Sequence, residues 1–344
     1  MAAGLSFRNI SAVYIVAALL LIYSLWVPDT FLSSAVWRSL IDSSALTALA
    51  AVGLVLPLAA GAFDLAIGAE VGMGAIVVAW LLADHHVPVF ASFVITVLVG
   101  AVIGAASGLL ITKARIDPFI ATLGMSSVLL ALIAWLSGGQ QLVNLAPSFQ
   151  RVATDRLFGL TYPVWILLIV GVILWYVLER TPAGRRIYAT GGNSGAARLA
   201  GVRTAAIVIS TLAAAGAIAG LSGALVSSQL GTGDPTIGPA YLLPVYAAVF
   251  LGSTQFRGGR YNVWGTVLAV YVLAIGVKGL QLGGAPVWIP DLFNGVALIL
   301  AVGLARFQRR STRAEAVRRT LRRVPKADEF QPDPESAVES SGRR

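Results

Sequence analysis

The chain has 344 residues, of which 57% are hydrophobic and 12% charged, with a mean hydropathy of +0.81. A soluble domain carries about 25% charged residues; this sequence has too little polar surface to cover a core of its size, which excludes a water-soluble enzyme or binding module. The net charge of +9 falls in loops and the C-terminal tail, where membrane topology accounts for it without nucleic acid. The lack of any cysteine excludes disulfides, thiolate catalysis and Cys-ligated metals.

The apolar residues come in runs of about 20, the length that crosses a hydrocarbon core of roughly 30 Å at 1.5 Å per helical residue. Lipid offers no partner for free backbone groups, so helices are expected, and the period-two alternation of a barrel is absent. The expected fold class is all-α: a polytopic transmembrane bundle of about ten helices over 10–305, with a cytoplasmic N-terminus at 1–9 and a cytoplasmic tail at 306–344. Spans are expected at 10–28, 43–61, 68–83, 88–112, 118–137, 161–178, 204–228, 240–253, 262–282 and 287–305. The first run, Ile10 to Val27, lacks a small-x-small cleavage site and reads as a retained helix. The stretch from Ser43 to Ala83 is too long for one crossing and breaks near Gly61-Ala62-Phe63-Asp64; a broken helix or a re-entrant turn also fits these residues.

Lys and Arg set the orientation. With the N-terminus inside, 21 of the 25 fall on cytoplasmic segments: Arg8, Lys113, Arg115, the 179–203 loop, Arg257, Arg260 and the tail. Only Arg38, Arg151 and Arg156 fall outside, and Lys278 snorkels from the outer end of a span. Both termini are therefore expected in the cytoplasm. Gly100, Gly104 and Gly108 share one helix face, as do Gly216 and Gly220, and such faces allow close helix approach in lipid.

Polar groups within this apolar frame are the candidate functional residues. Asp64 and Glu70 flank Gly68; a carboxylate at the bilayer centre costs roughly 2.5–3.5 kcal/mol, tolerated where it meets water or a partner. They either line a translocation path or form an interfacial turn that caps the helix starting near Gly68, where an acidic first turn suits the dipole. Asp117-Pro118-Phe119 is a helix-start signal, Asp at the N-cap and Pro at the first position. His85 and His86 are adjacent, so they do not face each other on a helix, and they read as a polar turn. No HExxH, P-loop or GxSxG motif occurs, so neither a nucleotide loop nor a hydrolase is indicated, and no metal or cofactor is expected.

The most distinctive segment is the polar, Gly-rich loop from Thr181 to Val202. Within it Asn193 or Ser194 can cap a short helix, Gly195 to Ala200, and Gly201 can end it. A short capped helix held off the membrane reads as a docking element. The tail is basic from Arg306 to Lys326, suited to anionic lipid heads or a partner subunit, and from Ala327 its composition is that of a disordered segment.

Four stretches resemble the permease subunits of bacterial ABC importers, in the ribose and simple-sugar branch related to branched-chain amino acid permeases. They are Gly61-Ala62-Phe63-Asp64-Leu65-Ala66-Ile67-Gly68, the ITKARIDPFIATLG run within Leu110 to Gly124, the Thr181–Val202 loop, and Val245 to Thr266. The resemblance implies a homo- or heterodimer of permeases, two cytoplasmic ATP-binding subunits and an extracytoplasmic solute-binding protein, in the bacterial cytoplasmic membrane. It places a coupling helix at Asn193 to Gly201 and assigns ATPase contact to Thr181, Gly184, Arg185, Tyr188, Asn193, Ala196, Ala197, Arg198 and Gly201. Asp64, Glu70, Asp117, Phe119 and Thr122 become candidates for the path. Tyr241-Leu242-Leu243 lacks a Glu of the family pattern, Ser253 replaces a Gly, and Lys278 replaces an Asn; the first and third of these changes bear on the solute. Carbohydrate is the expected cargo, with a nucleoside, a polyol or a signalling furanose as alternatives. An ion-coupled transporter would rest on Asp64 and Glu70, and a lipid-acting enzyme would need a clustered acid, base or metal site.

Overall fold

A computed structural model describes residues 11–255 and 259–303. The N-terminal segment 1–9, the tail 306–344 and Arg257 lie outside the described residues. The first part of the chain forms α1 (Ser11–Trp26), α2 (Pro28–Phe31), α3 (Ser34–Ala59), α4 (Ile67–Ala83), α5 (Val89–Thr112) and α6 (Pro118–Ser137). A short α7 (Pro147–Thr154) and a hairpin of β1 (Arg156–Leu157) and β2 (Leu160–Thr161) precede α8 (Tyr162–Arg180). Then come α9 (Pro182–Gly192), α10 (Ser194–Leu199), α11 (Thr204–Leu230), α12 (Pro239–Gln255), α13 (Val263–Leu282) and α14 (Ile289–Gly303).

Among the described residues, ten apolar helices overlap the stretches where spans are expected. Six of them, α3, α5, α6, α8, α11 and α13, are long and apolar enough to cross a membrane; α1, α4, α12 and α14 are shorter. The fold is an all-α polytopic bundle. Three local differences from the sequence reading have plain causes. Helix α3 starts nine residues before the expected Ser43, because Ser33 is extended and its hydroxyl accepts the Val36 N–H at 3.4 Å, setting an N-cap there. The first half of the Thr181–Val202 loop is helical, because Thr181 caps Gly184 and Pro182 occupies the first turn. The segment after α6, expected only as an outer loop, folds into α7 and the hairpin.

Helix α3 is the axis: 78% of its most apolar stretch is buried, against 28% in α5 and 22% in α6. It packs against α11, α12, α13 and α8. Helix α11 crosses α5 on the expected small-residue faces. A Cβ at Gly100 would overlap the Gly216 carbonyl, and one at Gly104 the Leu212 carbonyl. Backbone-to-backbone approach of this kind gains dispersion contacts that lipid cannot replace. At the far side α1 and α14 flank α13, where the Tyr23 phenol donates to the Gly276 carbonyl at 3.0 Å and the Phe293 ring covers Gly276.

Candidate functional site

Two features at one end of the bundle bear on function: the α9–α10 knob and the turn that joins α3 to α4. The knob is tied to the bundle from below. Thr181 Oγ1 donates to the Val177 carbonyl at 2.6 Å, and Gly184 lies directly on the Leu178 backbone. Ile187 and Thr190 are buried, and the Tyr188 phenol donates to the Tyr261 carbonyl at 2.6 Å. The Arg260 guanidinium stacks over the Tyr188 ring at 4.0 Å from its centroid, a cation–π contact.

Helix α10 is closed by its own residues at both ends. Asn193 Oδ1 accepts the Ala196 N–H at 3.0 Å. At the other end Gly201 has φ +84°, its N–H reaches the Arg198 carbonyl, and the Val202 N–H reaches the Ala197 carbonyl, each at 3.0 Å. This is a Schellman motif, and its left-handed residue is the expected Gly201. Ala197 is buried against the bundle, whereas Arg185, Asn193, Ala196 and Arg198 are exposed. Leu199, which the sequence reading passed over, is 92% exposed at the tip. The signal for it was an apolar residue in the last turn of a helix that is otherwise small and polar.

The knob meets the α3–α4 turn through glycines. A side chain at Gly191 would overlap the Ala59 carbonyl oxygen, and Gly61, at φ +85°, faces the Gly191 Cα. Clefts of about 610 and 600 Å³ lie on either side of this contact. Arg198, Thr112 and Pro118 line the first, and Phe63, Tyr188 and Arg260 the second.

Just beyond Gly61 the turn enters the core. Asp64 is fully buried and Glu70 is 1% exposed. The Asp64 N–H donates to the Tyr246 phenol oxygen on α12 at 3.1 Å, and Asp64 Oδ1 accepts the Ala66 N–H at 3.2 Å. The Leu65 N–H donates to Thr122 Oγ1 on α6 at 3.0 Å, and that hydroxyl donates to the Pro118 carbonyl at 2.8 Å. Asp64 Oδ2 and both Glu70 carboxyl oxygens have no hydrogen-bond partner among the described residues. Helix α4 has Ala66 at its N-cap, without a side-chain cap, and Glu70 in its first turn. The structure gathers Asp64, Glu70 and Thr122 and adds Tyr246, which no sequence pattern had singled out. It does not bring in Asp117 or Phe119. Asp117 caps its own helix by accepting the Phe119 N–H at 2.9 Å, and Phe119 is 54% exposed. No group of three or more His, Cys, Asp or Glu able to hold a metal occurs among the described residues.

A multi-helix apolar bundle with a self-capped knob at one end, keyed to a buried polar turn, has the construction of a membrane transport subunit. The chain belongs to the family described as branched-chain amino acid transport system / permease component, whose model matches residues 38–302. It is 33% identical over 270 residues to the ribose import permease protein of Bacillus subtilis (strain 168), covering 78% of this chain and 84% of the relative. It is 27% identical over 293 residues to the D-allose transport system permease protein of Escherichia coli (strain K12), covering 85% and 90%. To the L-arabinose ABC transporter permease protein of Azospirillum brasilense it is 30% identical over 291 residues, covering 85% of each. No solved structure matches the chain. The protein is thus a multi-pass protein of the bacterial cytoplasmic membrane, of the sugar ABC permease class.

Proposed function

We propose that the chain is the permease subunit of an ABC importer that carries a monosaccharide-like solute inward, driven by separate ATP-binding subunits. It works as a homo- or heterodimer with an extracytoplasmic solute-binding protein, and ATP hydrolysis belongs to the partner chains. All ten apolar helices serve as spans, and both termini lie in the cytoplasm. The observation that carries this reading is α10, closed by its own caps and presenting Leu199 and Arg198 outward.

The mechanism follows from the contacts. Closure of the ATPase pair pushes on α10, and α10 moves with α9 because one residue, Asn193, separates them. The glycine contact at Gly191 passes that motion to the α3–α4 turn. From the turn it reaches α12 through Tyr246 and α6 through Thr122. A shift in the relative tilt of these helices exposes the path to one side or the other; ATP needs only to bind the two arrangements with different affinity.

The test is Leu199→Glu in the reconstituted complex. A charge at an interface centre that excludes water typically costs several kcal/mol, so stimulated ATP hydrolysis and uptake should both fall at least about tenfold. Unchanged stimulation, with normal membrane insertion, would overturn the docking assignment. Ion-coupled secondary transport is the second reading, because three buried carboxyl oxygens lack partners. Uptake that stops on ATP depletion and persists with an ionophore excludes it.

A further inference from the structure

A small cavity of about 150 Å³ lies within the bundle, away from the knob, between α3, α12, α13 and α14. Ser44, Thr47 and Asn294 supply its polar groups, and Leu273 and Val277 part of its apolar wall. Ser44 is 6% and Asn294 7% exposed. None of the three side chains makes a hydrogen bond among the described residues.

That is unusual in this bundle. Other buried hydroxyls satisfy themselves on the preceding turn, as Thr96, Thr122, Ser137, Thr211 and Thr266 do, each at 2.7–2.9 Å. Ser107 in α5 is another buried hydroxyl without a partner among the described residues. Ser44, Thr47 and Asn294 instead line open space. Pro244, inside α12, also lines the cavity. Having no N–H, it cannot satisfy the Ala240 carbonyl. Buried polar groups left without partners cost free energy unless a ligand or water meets them.

We propose that this cavity is a solute subsite that holds a neutral polyhydroxy molecule by its hydroxyl groups. The assignment rests on the importer reading above. An amide and two hydroxyls supply both donors and acceptors, which suits hydroxyls, each of which both gives and takes. No charged side chain lines the cavity, so it offers nothing to a phosphorylated or carboxylated solute. The leucine and valine wall suits the C–H face of a sugar ring. The volume is below the roughly 300–1,000 Å³ of drug-sized ligand sites, which limits the occupant to a small molecule.

The experiment uses the complete complex in proteoliposomes, with D-ribose, D-allose and L-arabinose as probes, and measures sugar moved per ATP hydrolysed. Asn294→Leu and the isosteric Thr47→Val should each lower that ratio about tenfold while leaving the hydrolysis rate unchanged, the effect of removing a polar partner from a buried ligand. A defect in folding or coupling would lower hydrolysis as well. The cysteine-free chain allows a second measurement: Val277→Cys should react with a small neutral thiol reagent, and the transported sugar should slow the reaction. Normal sugar-to-ATP ratios in both variants, or an unreactive Cys at 277, would overturn the subsite and leave the importer reading intact. A wild-type complex that moves none of the three sugars would overturn the importer reading and the subsite with it.

Discussion

The two ends of the bundle are held together by different physics. At the hairpin end, Asp42 in α3 accepts hydrogen bonds from Arg156 at 2.6 Å and from Thr161 Oγ1 at 3.0 Å. Arg156 also donates to the Gly159 carbonyl, and Ser228 Oγ donates to the Phe149 carbonyl of α7 at 2.6 Å. Each side chain of that network has a partner, and its bonds are directional. At the α9–α10 end, the main contact is glycine on backbone, through Gly191 and Gly61, and the acids beneath it keep three oxygens without partners. A directional, satisfied network fixes one arrangement. A smooth steric seat over an unsatisfied polar turn fixes contact without fixing angle. The contrast explains how one end can stay still while the other is worked by a partner.

Four substitutions test this contrast, and they should rank by end. Gly191→Leu should be the most severe. Overpacking costs about 1–3 kcal/mol, and here it would fall on the force-bearing contact, so uptake per assembled complex should drop about 50-fold in vesicles. Asp64→Ala should reduce uptake about tenfold with little loss of expressed protein, since it removes a costly buried acid from the turn; normal uptake per complex would return Asp64 to a structural role. Tyr246→Phe removes the acceptor of the Asp64 N–H, a loss of about 0.5–1.5 kcal/mol, and should slow uptake about threefold to tenfold while thermal stability shifts only slightly. Asp42→Asn at the hairpin end should do least to transport. It weakens a half-exposed ion pair worth about 1 kcal/mol, lowering the melting temperature while uptake stays within about twofold. If Asp42→Asn slowed transport more than Tyr246→Phe, the distinction between the ends would fall.

The sequence made the apolar helices legible because a long apolar run has few alternatives in lipid. The break near Gly61–Asp64, the small-residue faces of α5 and α11, and the α10 ends, with Asn193 or Ser194 as the N-cap and Gly201 as the stop, were readable because each rests on a residue type with a local conformational consequence. What could not be read depends on partners distant in the chain. Tyr246 joins the site only because α12 packs beside the α3–α4 turn, 182 residues away. Thr122 was named from a motif, but its bond to Leu65 N–H is a tertiary fact. Asp117 in the same motif is the helix start that the sequence signalled, and Phe119 beside it is exposed. The early start of α3 and the helicity of α9 hinge on single hydroxyl caps, at Ser33 and Thr181, which a hydrophobicity pattern does not register.

Helix α3 has 26 residues, an end-to-end length of about 39 Å at 1.5 Å per residue. A hydrocarbon slab of roughly 30 Å cannot contain it upright, so it must lean or project into the headgroups. The Gly61 turn follows directly from its last residue. Bilayer thickness therefore sets the height and slope at which that turn meets the knob, and acyl chain length becomes a mechanical variable for the protein, independent of any ligand.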